Sequence, residues 1–127
     1  MALLLDTHVL IWWAAGDTKL PETARHAIDN DPDVFVSAVS VFEITTKYRI
    51  GKLPQAALVA RDVAGYVAEQ NFRPLSISVA HAQIAGALPG PSRDPFDRLL
   101  IAQAMVEEVA LVSIEQSFDA YPIRRLW

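Results

Sequence analysis

Four carboxylates sit where short apolar runs end or where helices begin. They are Asp6 after Ala2-Leu3-Leu4-Leu5, Glu43 after Val34-Phe35-Val36-Ser37, Asp97 within Asp94-Pro95-Phe96-Asp97-Arg98, and Glu115 after Ala110-Leu111-Val112-Ser113. Apolar runs of this length read as buried parallel strands. One acid at a strand exit is ordinary. Four of them in 127 residues suggest carboxylates gathered at one edge of a sheet. Like charges gather only around something positive, and a hard divalent cation with oxygen ligands resolves the repulsion.

Each acid also has a purely structural explanation. Ser40-Val41-Phe42-Glu43 spells a capping box, in which Glu43 reaches back to the amide of the cap. Asp94 can cap a helix begun by Pro95, with Asp97 at its third position favoured by the helix dipole. Asp6 can cap a helix from His8, and Glu115 one before Ser117-Phe118-Asp119. Caps, however, are served equally by Ser, Thr or Asn. An acid at all four places is what makes the joint pattern point to a metal-dependent site.

The elements that must position these acids alternate between strand and helix. Strands are expected at Ala2 to Leu5, Val34 to Ser37, Ala110 to Ile114 and Ile123 to Leu126, with a short apolar segment at Leu75 to Ile77. Helices are expected at His8 to Ala15, Pro21 to Asn30, Ser40 to Arg49, Ala56 to Asn71, Ser78 to Leu88 and Pro95 to Glu108. Gly16 and Gly51 mark helix ends, and Ser78 is a cap. The alternation predicts an α/β fold, a three-layer α/β/α sandwich with a mostly parallel central sheet. Sites in such sheets form outside the carboxyl ends of the strands, where Asp6 and Glu115 fall.

Composition narrows the class. The length fits one domain spanning 1–127, and 52% apolar residues exclude wholesale disorder. Cysteine is absent, which removes disulfides, thiolate metal sites and a Cys nucleophile. Asp6 interrupts the apolar run from Met1 to Leu5, so no targeting segment is expected, and no run approaches the roughly 20 apolar residues of a membrane span. These features read as a cytoplasmic protein. The net charge of −4 argues against a bulk nucleic-acid coat protein, though not against an enzyme that cuts a phosphodiester.

Taken together, Leu4-Leu5-Asp6-Thr7-His8-Val9-Leu10-Ile11-Trp12, Ser37-Ala38-Val39-Ser40-Val41-Phe42-Glu43-Ile44, Lys47-Tyr48-Arg49-Ile50-Gly51-Lys52-Leu53 and Arg93-Asp94-Pro95-Phe96-Asp97-Arg98-Leu99-Leu100-Ile101-Ala102-Gln103-Ala104 resemble PIN-domain proteins. The resemblance is greatest to the VapC-type toxins of toxin–antitoxin pairs, and it covers essentially the whole chain. It implies a Mg²⁺- or Mn²⁺-dependent endoribonuclease acting on RNA, a small antitoxin partner that blocks the site, and a homodimer. It places the family's acids on Asp6, Glu43 and Asp97. The fourth is usually an Asp, and here Glu115 stands in its place with one more methylene. Glu115 then binds through water, or the loop absorbs its extra reach.

Roles follow from the residue types. Asp6 and Asp97 are assigned as direct or near-direct metal ligands, since Mg²⁺ keeps several waters and uses one or two carboxylates. Glu43 is assigned to a metal-bound water, and Glu115 completes the acidic pocket. Thr7 and Ser113 are supporting hydroxyls that fix the acids. Asp94 either joins the site or caps the helix, with the cap preferred. His8, His26 and His81 lie in separate segments and read as surface or half-buried residues. Lys47, Arg49, Lys52, Arg93 and Arg98 flank the acids as candidate RNA contacts. Lys47, one turn after Glu43, either points toward the site, pairs with that acid or lies on a solvated helix face. Trp12 and Trp13 cannot both face the core, so one is left for a partner surface or for the next helix to cover.

Two other readings compete. A phosphotransfer enzyme or receiver also puts an Asp after the first strand, but the haloacid-dehalogenase kind wants a second Asp where His8 stands. A degenerate PIN domain would bind RNA or a partner without cutting, and Glu115 keeps that reading open.

Overall fold

The computed structural model describes residues 2–127, and Met1, expected at the head of the first apolar run, lies outside them. The chain runs β1 (Leu3–Leu5), α1 (Thr7–Ala15), α2 (Glu22–Asn30), β2 (Val34–Ser37), α3 (Ala38–Arg49), a 3-10 turn (Pro54–Ala56), α4 (Ala57–Ala60) and α5 (Val63–Glu69). It continues through β3 (Arg73–Leu75), α6 (Val79–Ala87), α7 (Pro95–Glu107), β4 (Ala110–Val112), a 3-10 turn (Gln116–Ala120) and β5 (Arg125–Leu126).

The five strands order as β3-β2-β1-β4-β5, and every pairing is parallel. Parallel strands need long crossovers, and these are right-handed. From β1 to β2 to β3 the chain steps one way along the sheet; from β3 to β4 it steps back across it. That reversal sends α6 and α7 to the face opposite the earlier helices. Side chains alternate accordingly. Leu3 and Leu5 pack with Val9, Leu10, Ile28, Val59 and Val63, while Leu4 packs with Leu100, Ile101, Ala104, Phe118 and Tyr121. A sheet with an apolar core on each face is the expected three-layer sandwich. No helix among the described residues is long and apolar enough to cross a membrane.

Several expected boundaries shift. The helix expected from Ser40 begins at Ala38, and its cap is Ser37, whose Oγ accepts from Val39 N at 3.0 Å. Ser40 is therefore inside the helix and buried, so the capping box with Glu43 does not form. The single helix expected over Ala56 to Asn71 is broken. Asp62 adopts a non-helical backbone and caps α5 through Gly65 N at 2.9 Å. The break turns Val59, Val63, Val67 and Phe72 inward and leaves Leu58 71% exposed. β3 lies at Arg73–Leu75, earlier than the apolar segment suggested, because it pairs in register with Phe35 to Ser37.

Candidate active site

Strand order reverses between β1 and β4, and sites in such sheets form at the carboxyl edge beside that reversal. Asp6 leaves β1 at this point, its backbone N donating to Val112 O at 3.0 Å. It caps α1, with Oδ1 accepting from Thr7 N at 2.8 Å. Ser113, just past β4, donates its Oγ proton to Asp6 Oδ2 at 2.7 Å and accepts from Glu115 N at 3.0 Å. Both carboxylate oxygens are thus oriented. Burial raises the Asp6 pKa above the ordinary carboxylate value, against the lowering effect of the Ser113 and Thr7 hydrogen bonds.

Glu43 arrives from α3, on the inner side of the helix that Ser37 caps. Thr7 Oγ1 donates to Glu43 Oε1 at 2.7 Å and lies 3.0 Å from Ser40 Oγ. Thr7 is therefore the joint between the first two acids, with its amide on Asp6 and its hydroxyl on Glu43. Lys47, one turn further along α3, donates to Glu43 Oε2 at 2.5 Å. Its ammonium also rests 5.5 Å from the centroid of the Phe96 ring. The Glu43 hydrogen bond is the main cause that holds the Lys47 pKa above its usual value, with Asp94 and Asp97 adding attraction.

Asp97 comes from the other face of the sheet, in the first turn of α7. Asp94 is the cap of that helix, its Oδ1 accepting from Phe96 N at 2.8 Å and Asp97 N at 3.2 Å. Asp97 makes no such bond, and its pKa is pushed up to about 7. Burial is the first cause, followed by the charges of Asp6, Asp94, Glu43 and Glu115. The α1, α3 and α7 acids therefore share one field. Glu115 is exposed and makes no side-chain cap bond to the 3-10 turn it precedes, so its capping reading fails.

The donor set fits a hard divalent cation in chemistry: carboxylate and hydroxyl oxygens, no sulfur, and more negative charge than Lys47 offsets. Among the described residues no three His, Cys, Asp or Glu side chains converge on one ion position.

Other candidates resolve differently. Arg98 is not available to RNA: Nε donates to Ala85 O at 2.9 Å, Nη1 to Ser92 O at 2.8 Å and Nη2 to Leu88 O. It satisfies carbonyls at the end of α6 and in the following loop, anchoring the start of α7 that carries Asp97. Arg49, Lys52 and Arg93 are exposed. His81 is buried, contrary to expectation. Its Nδ1 accepts from Ser78 N at 2.9 Å in a capping box, and Nε2 lies 2.9 Å from Glu107 Oε2. His8 stacks near Trp12 at 5.8 Å. Both tryptophans are partly covered, Trp12 by Trp127 and Trp13 by Phe72 and Arg25. Ser40 was missed as a member of the Thr7–Glu43 network. Its signal was the spacing Ser37-x-x-Ser40-x-x-Glu43, which puts three polar residues along one helix face.

A family profile for the PIN domain matches residues 3–123. Ribonuclease VapC22 of Mycobacterium tuberculosis is 33% identical over 120 residues, covering 94% of this chain and 91% of that protein. Among solved structures, the fold is similar to VapBC2 from Rickettsia felis bound to a promoter DNA fragment, with TM-score 0.69 and 15% identity over 99% of this chain and 98% of that one. It is also similar to M. tuberculosis VapC20, a sarcin-ricin-loop-cleaving toxin, with TM-score 0.64 and 17% identity over 96% of each chain.

Proposed function

The chain belongs to the PIN-domain family, and on that premise we propose that it is a divalent-metal-dependent endoribonuclease, the toxin of a toxin–antitoxin pair. One observation carries the reading. Asp6, Glu43 and Asp97 come from three elements on two faces of the sheet, yet Thr7 bonds both Asp6 and Glu43, and Lys47, seated on Glu43, lies over Phe96 in the turn that carries Asp97. The curated ribonuclease relative and the toxin-containing solved structures support the same class.

Asp6 and Asp97 would hold Mg²⁺ or Mn²⁺, with Glu43 and Glu115 completing the acidic wall. When bound, the ion supplies Lewis-acid polarisation of a phosphate oxygen and a water of lowered pKa. The chain's own residues do the positioning. Ser113 and the Thr7 amide fix the two oxygens of Asp6, Thr7 Oγ1 fixes Glu43, and the Asp94 cap with the Arg98 anchor fixes the turn that presents Asp97. Thr7 and Ser113 thus act on the acids rather than on the substrate.

We place the protein in the cytoplasm as one domain over 1–127, acting as a homodimer and blocked by an antitoxin. An apolar groove of about 530 Å³ supports such a partner. It is lined by Val41, Phe42, Thr45, Val67, Phe72 and Leu75. Phe42 is 62% exposed, and its ring centroid lies 6.0 Å from that of Phe96, the residue before Asp97. The test is cleavage of a structured RNA by antitoxin-free protein. Cutting is expected with Mg²⁺ or Mn²⁺, none with chelator, and none from Asp6→Asn or Asp97→Asn proteins whose melting is cooperative. Failure to cut any RNA with either ion would replace this reading with that of a non-cutting PIN domain.

A further inference from the structure

Glu43 has a donor on each carboxylate oxygen: Thr7 Oγ1 on Oε1 at 2.7 Å and Lys47 Nζ on Oε2 at 2.5 Å. Each oxygen keeps a second acceptor position for a metal-bound water, but a divalent ion brought beside Glu43 meets whatever charge already sits there. Thr7 is 1% exposed and locked into the first turn of α1, where its amide is already engaged by Asp6. Lys47 is different. Its side chain is 32% exposed, and it is long and flexible. Its ammonium lies against Phe96, which stands between Asp94 and Asp97 in the chain. It therefore bonds the acid of α3 and faces the first turn of α7.

We propose that Lys47 is the resident counter-cation of the acidic site, seated on Glu43 when no divalent ion is bound and displaced when one enters. This rests on the metal-site reading above. The ordinary alternative is an i, i+4 surface pair, worth a few tenths of a kcal/mol and indifferent to metal. Against that, the Glu43 side chain is only 8% exposed and is held from the opposite side by Thr7. Asp94 and Asp97 also hold the ammonium in its charged form, so Lys47 answers to the whole cluster. Two positive charges cannot share that field without cost. Ion binding then includes the work of moving Lys47 away.

The experiment is a calorimetric titration of Mn²⁺ into chelator-stripped wild type, Lys47→Met and Lys47→Arg. Met keeps an unbranched stem against Phe96 and removes the charge. The expected result is ion affinity tighter by about fivefold in Lys47→Met, the scale of one partly exposed charge pair, and close to wild type in Lys47→Arg. Equal or weaker affinity in Lys47→Met would overturn the proposal. A wild-type measurement stands apart from any folding defect. The chain has three lysines, of which Lys19 and Lys52 are exposed, so a hydrogen-bonded ammonium resonance in NMR belongs to Lys47. Saturating Mg²⁺ is expected to shift or remove it, and an unchanged resonance sinks the idea. If neither wild type nor variants bind any ion, the metal-site reading itself fails, a result distinct from equal binding by all three proteins.

Discussion

Asp97 is an acid whose charge the folded state disfavours. Its pKa is raised from 3.8 to about 7, so the folded protein holds a proton that the unfolded chain has released. A group with a raised folded pKa of this kind adds no penalty below about pH 4, where both states are protonated. The penalty grows through the window up to about 7 and is complete above it. Metal-free stability is therefore expected to fall across that range. Melts at pH 5 and pH 8 in chelator should show a smaller loss for Asp97→Asn than for wild type, although that variant no longer cuts RNA. Ser113 offers a second prediction. Removing the hydroxyl leaves the buried Asp6 Oδ2 without its 2.7 Å donor. Ser113→Ala should lower cleavage or ion affinity by roughly 10–100-fold, and Ser113→Thr, which keeps the hydroxyl, should recover most of it. The measurement is kcat/KM beside an ion titration.

The start of α7 is the element on which the site most depends, and its control is distributed. Asp94 caps it, while Arg98 ties it to Ala85, Leu88 and Ser92. The Tyr121 hydroxyl accepts from Ser92 N at 3.0 Å and fastens the same loop from the far side. Arg98→Ala should cost about 2–3 kcal/mol, because a charged donor to several part-buried carbonyls is lost. Hydrogen exchange should rise first at the end of α6 and in residues 88–92, and an unchanged exchange pattern there would contradict the anchoring role. The sequence reading placed Arg98 among RNA contacts, since neighbours of a catalytic acid invite that interpretation. Its direction around the helix was readable from 3.6-residue periodicity, but the carbonyls it meets belong to an element ten residues away.

At the scale of the molecule, the site is a product of strand order. β1 and β4 are neighbours although 107 positions separate Asp6 from Ser113, and the sheet they belong to carries an apolar core on each face. A divalent ion that binds only this assembled edge should raise Tm in proportion to ln(1 + [ion]/Kd), with no effect on Asp6→Asn/Asp97→Asn protein. Thermal melts over an Mn²⁺ series check this. The sequence by itself determined the alternation of strands and helices, the three-layer sandwich and the family, because apolar runs, caps and a motif spread along the chain are local signals. It also singled out Asp6, Glu43 and Asp97 by type and position. The one-turn spacing of Glu43 and Lys47 likewise allowed their pairing. Only the tertiary structure decided that Ser37 rather than Ser40 caps α3, that the helix after residue 56 breaks at Asp62, that His81 is buried, and that Thr7 joins two acids. Those outcomes depend on which polar atoms find partners once elements distant in sequence pack together, and no local pattern encodes that meeting.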